Sequence, residues 1–147
     1  MHAPPVRRFA ALAVAIPLVV GVAGCSDGSE GDKGNATKAC PSNITNTVST
    51  QLPSDLPAPT GASAPYNYSN QGKTQVWFFA VDGSPDQLPS MRDAYNSQLQ
   101  SKGYKLGDTD QEKDAEAEGE FSGPHDGTTN FRPLCTGKVD VRIKITS

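Results

Sequence analysis

The stretch Thr74–Val81 constrains this chain more than any other, because a strand laid through it is apolar on both faces. Side chains alternate across a strand, so Val76, Phe78 and Ala80 point one way and Trp77, Phe79 and Val81 the other. A strand of that kind belongs inside a sheet that is covered, at least in part, on both sides. Upstream, Tyr66 and Tyr68 alternate and Asn70-Gln71-Gly72-Lys73 marks a turn, so the strand is the second arm of a hairpin.

Downstream the period changes from two to that of a helix. Ser84 and Gln87 have the spacing of a capping box around Pro85, and Pro89 delays the regular helix by about one turn. Leu88, Met91, Tyr95 and Leu99 form one apolar stripe. Gly103 supplies a left-handed stop, after which Tyr104–Leu106 lead back to the sheet.

Two charged ladders follow. Glu112, Asp114, Glu116, Glu118 and Glu120 recur at every second residue, opposite Ala115, Ala117, Gly119 and Phe121. Lys138, Asp140, Arg142 and Lys144 alternate with Val139, Val141, Ile143 and Ile145. If both are strands of one antiparallel sheet, acidic and basic side chains face one another on its solvated side. A calcium site is the competing reading of the carboxylates, but such sites usually converge from a loop, so no metal is expected. His125-Asp126-Gly127 carries the signal of a tight hairpin, and Thr136-Gly137-Lys138 that of the next turn. These elements predict an α+β fold: an antiparallel sheet with one main helix packed on one face, a two-layer sandwich. Small residues Ala115, Ala117 and Gly119 are expected to make room for Met91, Tyr95 and Leu99.

Ahead of the hairpin, Ile44, Val48 and Leu52 suggest no more than a helical turn. Pro53-Ser54-Asp55-Leu56-Pro57-Ala58-Pro59 is an extended connector that wraps the domain. Ser26–Ala39 is rich in Gly, Ser and charge with no large apolar residue, and reads as a flexible tether.

The N-terminus has a different character. Arg7-Arg8 precede an apolar run from Phe9 to Val22, shorter than the roughly 20 residues a spanning helix needs, and Ala23-Gly24-Cys25 follow. Val22-Ala23-Gly24-Cys25 resembles the lipobox of a bacterial lipoprotein precursor. The resemblance implies cleavage before Cys25, a diacylglyceryl group on its sulfur, and a domain held on the outer face of the cytoplasmic membrane. Two acyl chains anchor durably where one binds only marginally. With Cys25 assigned to lipid, Cys40 and Cys135 remain as one possible disulfide pair in an oxidising compartment. The organisation is then residues 1–24 as signal, 25–39 as lipidated cysteine and tether, and 40–147 as a single domain. Further similarity is to small lipoproteins of high-GC Gram-positive bacteria. It rests on Leu56–Ala62, on Tyr95, Leu99 and Gly103-Tyr104 at the helix end, on Glu120-Phe121-Ser122-Gly123, and on a late cysteine before an alternating strand. It brings no catalytic motif.

Loss of Arg7 and Arg8 with the signal leaves 11 basic residues against 16 acidic, a net charge of −5. Nucleic acid is therefore not an expected partner, since phosphates require a basic footprint. No phosphate loop, nucleophile elbow or HExxH is present, and His125 is the only histidine after the signal. The chain is read as a non-catalytic domain without cofactor, binding a protein or envelope component; the alternatives are a carrier for a small apolar or lipid ligand and, behind it, an enzyme. The second apolar face of the Trp77 strand is expected to be covered by the proline-rich connector; the alternative is that Trp77 and Phe79 line an apolar patch for a partner or ligand.

Overall fold

A computed structural model describes residues 38–146. The proposed signal peptide, Cys25 and most of the tether lie outside the described residues. Six strands form one antiparallel sheet in the order β1-β2-β6-β5-β4-β3: β1 Asn67–Gln71, β2 Thr74–Asp82, β3 Lys105–Glu112, β4 Glu116–Ser122, β5 Asp126–Cys135 and β6 Lys138–Thr146. One helix, α1 Leu88–Ser101, links β2 to β3 and packs on one face, so the fold is an α+β sandwich.

The start of α1 follows from its sequence. Pro85–Gln87 form a single 3-10 turn, the Ser84 N–H donates to Gln87 Oε1 at 3.0 Å, and the α-helix proper begins at Leu88. Its end is set by Gly103 at φ 88°, which lets the Tyr104 N–H donate to the Leu99 carbonyl at 3.0 Å. Leu88, Tyr95 and Leu99 are buried, with Met91 half-buried beside them.

The buried face of the sheet carries Trp77, Phe79 and Val81 from β2, Val139, Val141, Ile143 and Ile145 from β6, Phe131 from β5, and Ala117 and Phe121 from β4. Helix α1 lies over the β3–β5 side of this face. The irregular segment 53–62, here called the strap, covers the β2 side, with Leu56 and Pro59 buried and Leu52 packed behind them. Trp77 and Phe79 are 1% and 2% exposed, so they form core and not a surface patch. The proline-rich connector supplies their cover. Fully burying side chains of this size contributes roughly 1.5–3 kcal/mol each, which favours the strap lying down.

Three local expectations need correction. The acidic ladder is not one strand: β3 ends at Glu112, Asp114 sits in a turn at φ 59°, and only Glu116, Glu118 and Glu120 share a face of β4. Ala115 is in that turn, so only Ala117 and Gly119 face the helix layer. The basic ladder does not pair with the acidic one either, because β5 lies between β4 and β6 and places Thr128, Asn130 and Arg132 in the gap. Finally, Gly127 lies within β5, opposite Ile145, and the turn falls at 123–125. A methyl at Gly127 would collide with the Lys144 carbonyl and the Phe121 ring, so close approach and not turn geometry requires the glycine. Short of these, Ile44 falls in a 3-10 turn, Ser42–Thr45, whereas Val48 and Leu52 are irregular.

Candidate functional site

Between α1 and the strap a groove of about 280 Å³ remains open. Its floor is Val81, Phe131 and Val141, all on the buried side of the sheet; Met91 and Tyr95 form the helix wall, and Pro59 and Thr60 the strap wall. The helical spacing of Met91, Tyr95 and Gln98 puts all three on the groove side, while Ser90 and Ala94 form an exposed rim. Gly83 seats the Met91 wall, since a Cβ there would stand 2.9 Å from Met91 Sδ.

Polar groups around the groove are already engaged. Tyr95 Oη donates to the Pro57 carbonyl at 2.8 Å, Gln98 Nε2 donates to Thr60 Oγ1 at 2.7 Å, and Ser90 Oγ donates to the Gln87 carbonyl at 2.8 Å. Asp82 borders the groove at the end of β2, but alternation from Val81 turns its side chain to the outward face, where it is exposed and pairs with Lys138 Nζ at 2.7 Å. Burial pushes the Tyr95 phenol well above its ordinary range, so it stays a neutral donor to the strap. The site therefore presents an apolar floor under a neutral rim.

A second cluster fastens the strap at its other end. Tyr104 Oη donates to one oxygen of Asp55, and His125 Nε2 lies 3.3 Å from the other. The Tyr104 hydrogen bond, aided by His125, holds the Asp55 carboxyl below the usual carboxylate range. The same phenol is raised, by burial first and then by the Asp55 charge. His125 thus sits in the fastening of the strap.

The outward face of the sheet sets half-buried Val76, Phe78 and Ala80 of β2 among polar side chains. Asp140, 2% exposed, accepts from Tyr66 Oη at 2.9 Å and from Arg142 Nε at 2.6 Å, and the Arg142 guanidinium lies 5.3 Å from the centre of the Phe78 ring. Burial and the Asp140 charge raise the Tyr66 phenol. Asn130 Nδ2 donates to Glu116 and Glu118, and Arg132 Nε stands 3.7 Å from Glu116. β5 thus bridges the acidic strand towards the basic one. Among the described residues, no three His, Cys, Asp or Glu side chains converge as metal ligands would.

Of the residues singled out from the sequence, Cys40 and Cys135 are joined as a disulfide with Cα atoms 4.9 Å apart. Trp77 and Phe79 lie under the strap, and Cys25 lies outside the described residues. The groove itself has no sequence signature, because its walls come from segments some 30 residues apart that are joined only by folding. Arg92 and Asn96 are likewise buried without having been singled out; Asn96 fits against Gly119, where a Cβ would stand 3.2 Å from its Oδ1. No helix among the described residues is long and apolar enough to cross a membrane. Comparison with protein families, with curated proteins and with solved structures returned no match.

Proposed function

We propose that this chain is a lipid-anchored, non-catalytic binding domain, held on the outer face of the cytoplasmic membrane through a diacylglyceryl-modified Cys25. Its groove between α1 and the strap receives an apolar group from a protein or envelope component. The observation that carries this reading is the groove: a cleft of about 280 Å³ stays open between α1 and the strap, with Met91 half-buried and Ala94 exposed along its helix wall. Its size supports a binder over a carrier. Small-molecule sites usually span about 300–1,000 Å³ and bury most of the ligand, whereas this groove lies at the lower edge of that range and opens to solvent along its length. A cavity of about 150 Å³ accepts benzene, so the space suits one bulky apolar side chain.

The anchor and the groove are tested separately. Cys25→Ala should move the protein from the membrane to the soluble fraction; unchanged membrane retention would sink the anchor. Native mass spectrometry of the detergent-extracted protein should show an added protein or envelope mass that Ala94→Trp, which fills the groove, removes. An added lipid mass removed by the same substitution would replace the binder with the carrier, and no added mass would leave the groove without its role.

A further inference from the structure

The strap belongs to a loop that closes on itself. Residues 49–64 leave and return at one neck, where the Val48 N–H donates to the Pro65 carbonyl at 2.9 Å, just ahead of β1. Compact surface loops with adjoining ends, about 6–16 residues long, are often functional. Two turns fix the shape of the strap: the Leu56 N–H donates to the Pro53 carbonyl and the Ala62 N–H to the Pro59 carbonyl, each at 3.0 Å. Gly61, at φ 83°, supplies the left-handed residue of the second turn. Pro57-Ala58-Pro59 between the turns is stiff, since each ring fixes its own φ. Among the described residues, no backbone hydrogen bond joins 53–62 to the rest of the fold. Besides buried Leu56 and Pro59, the strap is held by side chains from one flank. These are Tyr95 and Gln98 of α1, Tyr104 just beyond it, and His125 of the β4–β5 turn.

The strap also divides space above the sheet. Ala58 lines a cavity of about 180 Å³ over Phe79, and Pro59 lines the groove of about 280 Å³ over Val81. Phe79 and Val81 are successive residues on one face of β2, so a single thickness of strap separates the two spaces. Beneath it the Trp77 Nε1–H is buried and has no acceptor among the described residues. Closure takes water from this donor and returns no hydrogen bond, which weakens the closed form relative to an open one. We propose that the strap is a lid. It lifts as one body about the Val48–Pro65 neck while the six strands stay paired, and it joins the groove to the cavity behind it in one trough over Phe79 and Val81. The turns make the motion concerted, and the absence of backbone bonds means that only side-chain contacts must break. Because the fastenings lie along α1 and Tyr104, that edge is the one that lifts. The joined space falls within the roughly 300–1,000 Å³ of small-molecule sites, so opening extends the groove beyond one side chain. The lid holds whatever the groove receives.

The test is hydrogen exchange in the full-length, detergent-extracted protein, followed by NMR. Trp77 is the only tryptophan, so its indole N–H gives one resonance from beneath the strap. The amides of Val141 and Ile143 in β6, which is paired on both sides, report opening of the whole fold, and those of the β1–β2 pairs report fraying of the hairpin. The expected indole protection is about tenfold or more below that of the β6 amides, the mark of a local opening. It should depend only weakly on low urea, because little surface is exposed, while β6 exchange rises steeply. Tyr95→Phe and Gln98→Ala each remove one fastening and should speed indole exchange about two- to tenfold, the worth of one hydrogen bond. Indole exchange that follows the β6 amides in rate and urea dependence overturns the lid, since the strap then opens only with the whole fold. Exchange shared with the β1–β2 amides, or unchanged in both variants, overturns it too, because the hairpin or another segment is then the moving part. None of these outcomes touches the groove of the closed form, which the Ala94→Trp comparison tests separately.

Discussion

Replacing Leu56 with alanine tests whether the strap seals the Trp77 side of the core. Leu56 is 5% exposed and packs in the cluster that contains Trp77 and Phe79. The substitution removes three carbon atoms, about 2.4 kcal/mol at 0.8 kcal/mol per buried methylene. A rigid site would add a cavity cost and approach the upper range of about 5 kcal/mol for such changes. The strap has no regular structure and is held by side-chain bonds from Tyr95, Gln98 and Tyr104, so it can settle into part of the space. A loss of about 2–3 kcal/mol follows. Trp77 is the only tryptophan and is 1% exposed, so it reports the strap directly. In urea titrations, circular dichroism should register the stability loss. Acrylamide should quench Trp77 faster in the variant under conditions where the sheet is still intact. A loss below about 0.5 kcal/mol, the range of ordinary surface substitutions, with unchanged quenching would refute the claim that the strap closes the core.

The glycine and tyrosine assignments are tested in the same titrations. Gly127→Ala should cost at least about 1–3 kcal/mol, the usual range for overpacking, because the new methyl meets a backbone carbonyl of central strand β6 and not a flexible side chain. A neutral effect would mean that β5 is displaced from its register with Ile145. At alkaline pH, Tyr66, Tyr95 and Tyr104 have folded pKa values raised above the ordinary 10 by burial first. Their contribution is complete below pH 10 and is lost as pH rises through the raised values. Tyrosinate absorbance from these three should therefore appear together with loss of circular dichroism, and ionisation of all three in an intact fold near pH 10 would contradict their burial. At the acid end the sign reverses for Asp55. Its pKa is lowered from 3.8, so its contribution is present above that pH and fades as pH falls through the folded value. Asp55→Asn should remove that part of the acid limb.

How far each element was legible depended on where its determinants lie. The cap of α1 at Ser84 and Gln87, its stop at Gly103 and the turns at Gly72 and Gly137 are local chemistry, and they fall where the residues place them. The run of acidic residues misled because alternation says which way side chains point only while the strand continues. Asp114 tolerates a left-handed backbone and turns the chain in the middle of the run. Pairing of the charged strands failed for a different reason: strand order is not encoded in either strand, and β5 inserts between them. At Gly127 the Asp-Gly pair reads as a tight turn, whereas the glycine lies inside β5 and is required by a ring from β4 and a carbonyl from β6, one of them well separated in sequence.

By itself, the sequence determined the alternating and helical segments, their caps and turns, and the α+β class. Each of these follows from periodicity or backbone preference within a short span of chain. Tertiary structure alone decided that the strap and not a partner covers Trp77 and Phe79, that Asp140 is buried with Tyr66 and Arg142, and that a groove survives between α1 and the strap. These depend on which apolar surface is nearest when the layers close, and the free energy of that choice is shared among segments that no local pattern connects.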